Sequence, residues 1–503
     1  MLIFDFKKDF YQNLLQQRVV IFCSIEVDSV AACKILLSLF HTDSVSYSLI
    51  PVFTLHDLED QYLQQSKYFD LFILINCGAN FDLVELLSPE EKNTFFVIDY
   101  RRPLALSCIY TDQFKILVRE SESVSNIPEV ADLAREDNPD DENEENLEPT
   151  SKRTKFDEGR LLRKALKRKE KREWELKRER LLHEYFEYEY YSVSSSELLF
   201  ELAWRLSKDS NLLLWFGIVG MTDHWLNHKI TKTQYCERSE FLGIHVRRLN
   251  AVYDNQDDNA VSVDCMKISS QKELKLHLYK HWSLWDSCYN TLFVYSHFKV
   301  MHFKILSWLV KDVHPKIGFR PYGQQSNEDT AEDRFFAAMD SLSYRNCDVL
   351  SEYISHAKHF LQQVSEQINN VLATSRTIHT GPFLVLTLTE DDLTVNYFQS
   401  IEALQFIGRS ILTCLVANSP RYVQLPLVLI GPCLHDPQNL LISGFIPIAA
   451  SDETTNNFFG RAFEQAAERC SITLNACHFE QSVVEINSED KLKFMDSLIT
   501  LLK

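Results

Sequence analysis

Short apolar runs alternate with amphipathic stretches through the first 120 residues. RVVIFCS (18–24), YSLIPV (47–52), LFILIN (71–76) and FFVID (95–99) have the length and continuous hydrophobicity of strands buried on both faces of a parallel sheet. Between them lie VAACKILLSLF (30–40) and LHDLEDQYLQQ (55–65), whose apolar residues recur at helical spacing. This alternation predicts an α/β domain, a parallel sheet with helices on its faces. The pattern breaks near 130. EDNPDDENEENLEP (136–149) is almost wholly polar and acidic, too poor in apolar side chains to order itself by burial. RKALKRKEKREWELKRERL (163–181) then reads as a basic helix, with Leu and Trp spaced among the charges. SSELLFELAWRLS, NLLLWFGIVGMTDHWL and LKLHLYKHWSLWDSCYNTLF continue in helical period, and 310–334 is loop-like by its Pro, Gly and polar residues. From about 380 strands return as FLVLTL (383–388), LPLVLIG (425–431) and SVVEIN (482–487), between the helical IEALQFIGRSILTCLVA, FGRAFEQAAERC and EDKLKFMDSLITLLK. The expected organisation is an α/β domain over 1–130, a disordered acidic linker over 131–158, a helical middle region over 159–378 and a smaller α/β domain over 379–503.

Composition adjusts this picture in three places. A formal charge of −19, from 71 acids against 52 bases, excludes a surface that is basic throughout and leaves room only for local basic patches. The twelve cysteines include no CxxC pair, which excludes zinc-ribbon and thioredoxin spacings. Cys23, Cys33 and Cys77 sit in apolar runs and read as small hydrophobes in a reducing compartment. No apolar run approaches the ~18 residues of a membrane helix, and MLIFDFKKDF carries charge too early for a signal peptide. A soluble, intracellular protein without membrane contact is expected.

In an open α/β sheet the functional site gathers past the carboxyl ends of the strands. Three stretches fall there. SIEVDSVAACKIL (24–36) brings Glu26 and Asp28, INCGAN (75–80) brings Asn76, Cys77 and Gly78, and Asp99-Tyr100-Arg101-Arg102-Pro103 ends the fourth run. Carboxylates converging from adjacent strands can hold divalent metals and activate water for phosphodiester hydrolysis. By spacing alone such acids serve more often as helix caps or arginine partners.

An acidic pair, a strand end with Gly after Cys and an Asp-x-x-x-Pro turn, in this order, resemble the Asp-His-His phosphoesterase superfamily, which includes the RecJ single-strand exonucleases. FILINCGAN, KREWELKRER, FELAWRLSKD, LYKHWSLWDS, AMDSLS and NFFGRAFEQAAE, with the acidic linker in the same place, narrow the resemblance to the cell division control protein 45 family of eukaryotic replication factors. The likeness runs from the N-terminus to residue 503. Active members of the superfamily hold two metal ions with aspartates and histidines. Here Glu26 stands at the first aspartate position, Asp28 at the second and Asn76 at the next. Asp99 matches the aspartate of the Asp-His-His triplet, while Tyr100 and Arg101 replace both histidines. Asparagine is a poorer ligand, tyrosine is protonated near pH 7 and arginine cannot ligate at all. The resemblance thus implies a pseudoenzyme without cofactor or catalytic metal, in which Arg101 neutralises the remaining acids.

The resemblance further implies a nuclear scaffold that joins the MCM helicase hexamer to the GINS complex, with replication-initiation factors and the DNA polymerase machinery as further partners and weak single-stranded DNA binding retained. The alternative is an active manganese-dependent phosphoesterase or single-strand exonuclease, which should show acid or histidine at positions 76, 100 and 101. Between SHFKVMHFKIL and FFAAMDSLS family members carry a longer helical insert than this chain does.

Other features have weaker readings. Lys152-Arg153 and Lys167-Arg168-Lys169 have the composition of a nuclear localisation signal, set against a solvated helix face with Glu170, Glu173 and Glu175 as ion-pair partners. Tyr185, Phe186, Tyr188, Tyr190 and Tyr191 suit either stacking on bases or interface packing. His224 and His228 lie four apart without an evident third ligand, which discounts a metal site. Gly460 precedes a helix, where Arg461 is a candidate phosphate contact.

Overall fold

The computed structural model describes residues 1–120, 122, 127–133, 158–254, 268, 276–291, 331–342, 347–374, 376–388, 401–433, 438–451, 454–475 and 478–503. The acidic run 136–149, the pair Lys152-Arg153 and the stretch 310–330 lie outside them. Two compact units emerge, one of residues 1–119 with 189–503 and one of 120–188.

The first sheet of the larger unit holds β1 (Leu2–Ile3), β2 (Arg18–Ser24), β3 (Ser46–Val52), β4 (Leu71–Ile75), β5 (Thr94–Ile98) and, beyond the short β6 (Arg101–Arg102), β7 (Phe114–Leu117). All its pairings are parallel, in the order β1-β7-β5-β4-β2-β3. The continuous apolar runs of β2, β4 and β5 are explained by burial on both faces. One face is a ladder of rings in which Phe22, Phe72, Phe95 and Phe114 stack in succession at 4.7–6.0 Å. On the other face pack helix α1 (Val27–Asp43) and, after α2 (Leu55–Gln65), the helices α3 (Ser195–Arg205) and α4 (Asn211–Leu226).

That shared core crosses the boundary expected near 130. Leu199, Leu202 and Leu214 belong to the same buried cluster as Ile21, Ile73 and Ile98, because the apolar faces of α3 and α4 find their cover on the first sheet. Ser194 and Ser210 start these helices by accepting from the backbone amides of Glu197 and Leu213. α5 (Lys232–Asp254) follows.

The second sheet places β9 (Ile378–His379), β10 (Leu384–Thr387), β11 (Leu427–Pro432), β12 (Asn439–Phe445) and β13 (Val483–Asn487) in the order β13-β12-β11-β10-β9. Only β10 and β11 are parallel. Helices α6 (Cys347–Thr374) and α7 (Ile401–Asn418) pack on one face, α8 (Phe459–Cys470) and α9 (Lys491–Leu502) on the other. Val364, Ile368 and Val371 of α6 thus share a core with the second sheet, across the boundary expected at 378.

Some expectations need correction. The segment LKLHLYKHWSLWDSCYNTLF is not one helix. Among its described residues the helix is Leu284–Tyr289, started by Ser283, whose hydroxyl accepts from the Asp286 amide at 3.0 Å. Residues 331–334, expected in a loop, open the helix Ala331–Ser341. In the smaller unit the basic stretch lies on the helix Glu158–Tyr185, where Lys177 pairs with Asp132 at 2.5 Å and Lys169 with Glu173 at 3.6 Å. Among the described residues no helix is long and apolar enough to cross a membrane.

Candidate functional site

The chain passes from β2 to β3 on one side and returns to β4 on the other, so the switch of strand order falls between β2 and β4. Glu26 and Asp28 leave the end of β2, Asn76 the end of β4, and Asp99, Tyr100 and Arg101 the end of β5. The structure brings all six together. Asn76 adopts φ 55°, a left-handed conformation that asparagine tolerates better than most residues, and turns the chain there.

Arg101 is fully buried at the centre. Its guanidinium pairs with Glu26, lies 3.4 Å from Asp99 Oδ1, donates from Nε to Glu480 Oε1 at 3.3 Å and from Nη1 to the Asn76 carbonyl at 3.1 Å. Asp99 is saturated. Its Oδ2 accepts from the amides of Gly78 and Ala79, both at 2.9 Å, and its Oδ1 accepts from the Arg101 amide at 3.0 Å besides the guanidinium. Tyr100 donates to Glu26 Oε2 at 2.7 Å and accepts from Lys229. Burial pushes the Tyr100 and Tyr191 hydroxyls up, so both stay protonated. Burial would raise Glu26 and lower Lys229, but in each case the opposite charges win. Arg101 and Lys229 hold Glu26 below its ordinary range, and Glu26 and Glu480 hold Lys229 above its own.

Asp28 faces elsewhere. Its Oδ2 accepts from Asn76 Nδ2 at 3.1 Å and from the Ser195 amide at 2.9 Å, and its Oδ1 accepts from the Ser196 amide at 3.1 Å. The carboxylate therefore sits on the N-terminus of α3. Gly220 of α4 admits this approach, since a Cβ there would stand 2.3 Å from Asp28 Oδ1. Burial works against the Asp28 charge, yet His224 and Ser196 outweigh it and hold the carboxyl well below its usual range. Asn76 completes the group by donating to Ser29 Oγ at 2.7 Å and accepting from Ser195 Oγ.

The residues present do not fit the two metal ions that the Asp-His-His resemblance implies for an active site. Asp99 has its lone pairs engaged, Asp28 is committed to α3, and a guanidinium occupies the space between Glu26 and Asp99. Among the described residues no three His, Cys, Asp or Glu side chains form a set that could hold a metal ion.

Several partners escaped the sequence reading. His224 has no metal-ligand partner in His228, but its Nε2 stands 3.6 Å from Asp28 Oδ2 and its ring meets Tyr100 edge-on at 4.4 Å. His228, at φ 57°, falls beyond the end of α4. Arg102 is buried too, donating to the carbonyls of Asp99 and Arg101 at 2.9 and 2.8 Å. Tyr190 and Tyr191 form β8, antiparallel to β6, and Tyr191 donates to Glu480 Oε2 at 3.2 Å. Arg461 pairs with Glu464 at 2.8 Å on the exposed side of α8, apart from this cluster's bonds. Lys229, Glu189 and Glu480 carried no signal, because nothing local marks a charge whose partner lies 129 to 379 residues away.

Glu189 has a measurable consequence. Its carboxyl is buried, accepts from the Gln481 and Ser482 amides at 3.2 Å each, and is pushed up to about 8 by burial and by the Glu480 carboxylate beside it. A carboxyl raised in the folded state binds a proton that the unfolded chain has lost. Stability therefore falls as pH rises from about 4.3, the unfolded value, to about 8, and is indifferent to this group above that. Glu189→Gln should flatten that slope in denaturant titrations across the window. An unchanged slope would mean that Glu189 is ionised in the fold.

A family model described as CDC45 matches residues 19–160, 119–304 and 320–501. The chain is 35% identical to the cell division control protein 45 homolog of Homo sapiens over 570 aligned positions, covering all of both chains. Since the alignment is longer than this chain, the relative carries residues that are missing here. The crystal structure of CDC45 from Entamoeba histolytica aligns over all of both chains at TM-score 0.61 and 15% identity, a likeness of fold. RecJ in complex with Mn2+ from Thermus thermophilus aligns at TM-score 0.38 and 11% identity, over 98% of this chain and 53% of that one, too weak to carry an argument.

Proposed function

The chain belongs to the CDC45 family, and from that premise we propose that it serves DNA replication in the nucleus as a non-catalytic scaffold of the replicative helicase, joining the MCM hexamer to the GINS complex. Replication-initiation factors, the polymerase machinery and single-stranded DNA are its further proposed partners, Arg461 being the candidate DNA contact. Family membership supports the replication role. The observation that carries the non-catalytic half is the buried Arg101 guanidinium, which bonds the acids a hydrolase would offer to metal. Water activation by a bound divalent cation needs open coordination positions. Around Asp99 and Asp28 those positions are taken by backbone amides and a cation.

Two measurements test this reading. Purified protein incubated with labelled single-stranded DNA and manganese should release no nucleotides above a protein-free control. Release that is abolished by Glu26→Gln would establish the phosphoesterase alternative instead. Affinity purification from replicating cells should recover MCM and GINS subunits, and their absence would defeat the scaffold role.

A further inference from the structure

The crevice outside the strand ends, where a sheet of this order receives its ligand, is filled by the chain itself. Residues 479–482, which lead directly into β13, occupy it. Glu480 is buried there. Its Oε1 accepts from Arg101 Nε at 3.3 Å and lies 3.8 Å from Lys229 Nζ, and its Oε2 accepts from Tyr191 at 3.2 Å. The flanks are fastened as well. Gln481 Nε2 donates to the Asn80 carbonyl at 3.0 Å, Asn80 Nδ2 donates to the Phe479 carbonyl at 3.4 Å, and the Phe479 ring lies so close to Gly78 that a Cβ there would approach it to 3.1 Å.

We propose that Arg101, Lys229 and Tyr191 form a carboxylate-binding socket whose resident ligand is Glu480 of the same chain, and that occupation of the socket fastens the second sheet to the first. Two cations and a hydroxyl converging on one carboxylate, out of water, recognise that group by charge and by direction. A simpler arrangement would leave Glu480 as one of several counter-ions to Arg101. In that case Glu26 and Asp99 would satisfy the guanidinium alone, and the space vacated by Glu480 would have no preference for a carboxylate.

Chemical rescue separates the two. In the full chain, Glu480→Ala should lower the melting temperature by on the order of 5 °C. Sodium propionate, titrated against sodium chloride at constant ionic strength, should restore it saturably. The wild type and Glu480→Ala combined with Arg101→Met should not respond. Equal responses in Glu480→Ala and wild type, or a response that survives Arg101→Met, would refute the socket. If Glu480→Ala does not fold, the isosteric Glu480→Gln decides. Faster amide hydrogen exchange at Gln481 and Ser482 than in the wild type supports the socket, and exchange equal to wild type refutes it. Failure here would leave the replication role untouched, because that role stands on family membership and is tested separately by affinity purification.

Discussion

Arg101→Ala should destabilise the full chain by ~3–5 kcal/mol, the cost of removing one member of a buried ionic network and stranding the others. The side chain is wholly enclosed, and three carboxylates face it, those of Glu26, Asp99 and Glu480. Lys229 remains 3.9 Å from Glu26 and 3.8 Å from Glu480, so the loss falls short of leaving all three uncompensated. Removing the guanidinium leaves the carboxylates of Glu26, Asp99 and Glu480 around one space short of positive charge, to which a divalent cation is drawn by charge rather than by a preformed ligand set. Millimolar manganese should therefore recover part of the lost stability in Arg101→Ala and leave the wild type unchanged. Arg102→Ala should cost less and show no manganese response, because it leaves the Arg101 guanidinium in place among the three carboxylates. Denaturant titration of the three proteins with and without manganese decides the matter. Equal losses at both arginines, with no metal effect in either, would show that Arg101 does not hold the acids together. The full chain is the proper sample, since the core of the first sheet includes α3 and α4.

The parts of this site that follow the chain locally were legible, and those that depend on distant pairing were not. β2, β4 and β5 announce themselves because burial on both faces demands an unbroken apolar run, and their ends mark where Glu26, Asn76 and Asp99 emerge. β1 and β7 are too short to stand out, and β12 reads NLLISGF, with polar Asn439 and Ser443 and a Gly444 that is there because Phe459 would collide with any Cβ. That Arg101 points inward follows from the resemblance, which implies a ligand-histidine position for it. That Arg102 is also buried does not, because its cover is β8, paired with β6 from 89 residues further on. Glu480 sits in a stretch that read only as the approach to a strand. Asp28 is the instructive case. The resemblance implies a former metal ligand there, and its hydrogen bonds give it a structural task at a helix that begins 167 residues later.

That task sets the last expectation. Asp28→Ala should cost ~3–5 kcal/mol, because it removes a buried, ionised acceptor from the Ser195 and Ser196 amides and from Asn76 at once. Loss of any activity in that variant would then report on the fold of α3 against the sheet and would say nothing about metal. Asp28→Asn keeps the volume but places an amide where two backbone donors and a side-chain donor converge, and should lose ~1–3 kcal/mol. The pH dependence identifies the charge as the cause. The folded carboxyl is held well below its ordinary value, so its contribution is fully present above about 3.9, the unfolded value, and is lost as pH falls below it. The stability gap between wild type and Asp28→Asn should therefore be fully present near pH 5 and narrow by up to ~1.4 kcal/mol per pH unit below about 4. A gap that stays constant down to pH 3 would mean that Asp28 is held for its shape, and that the charge at the start of α3 does no work in this fold.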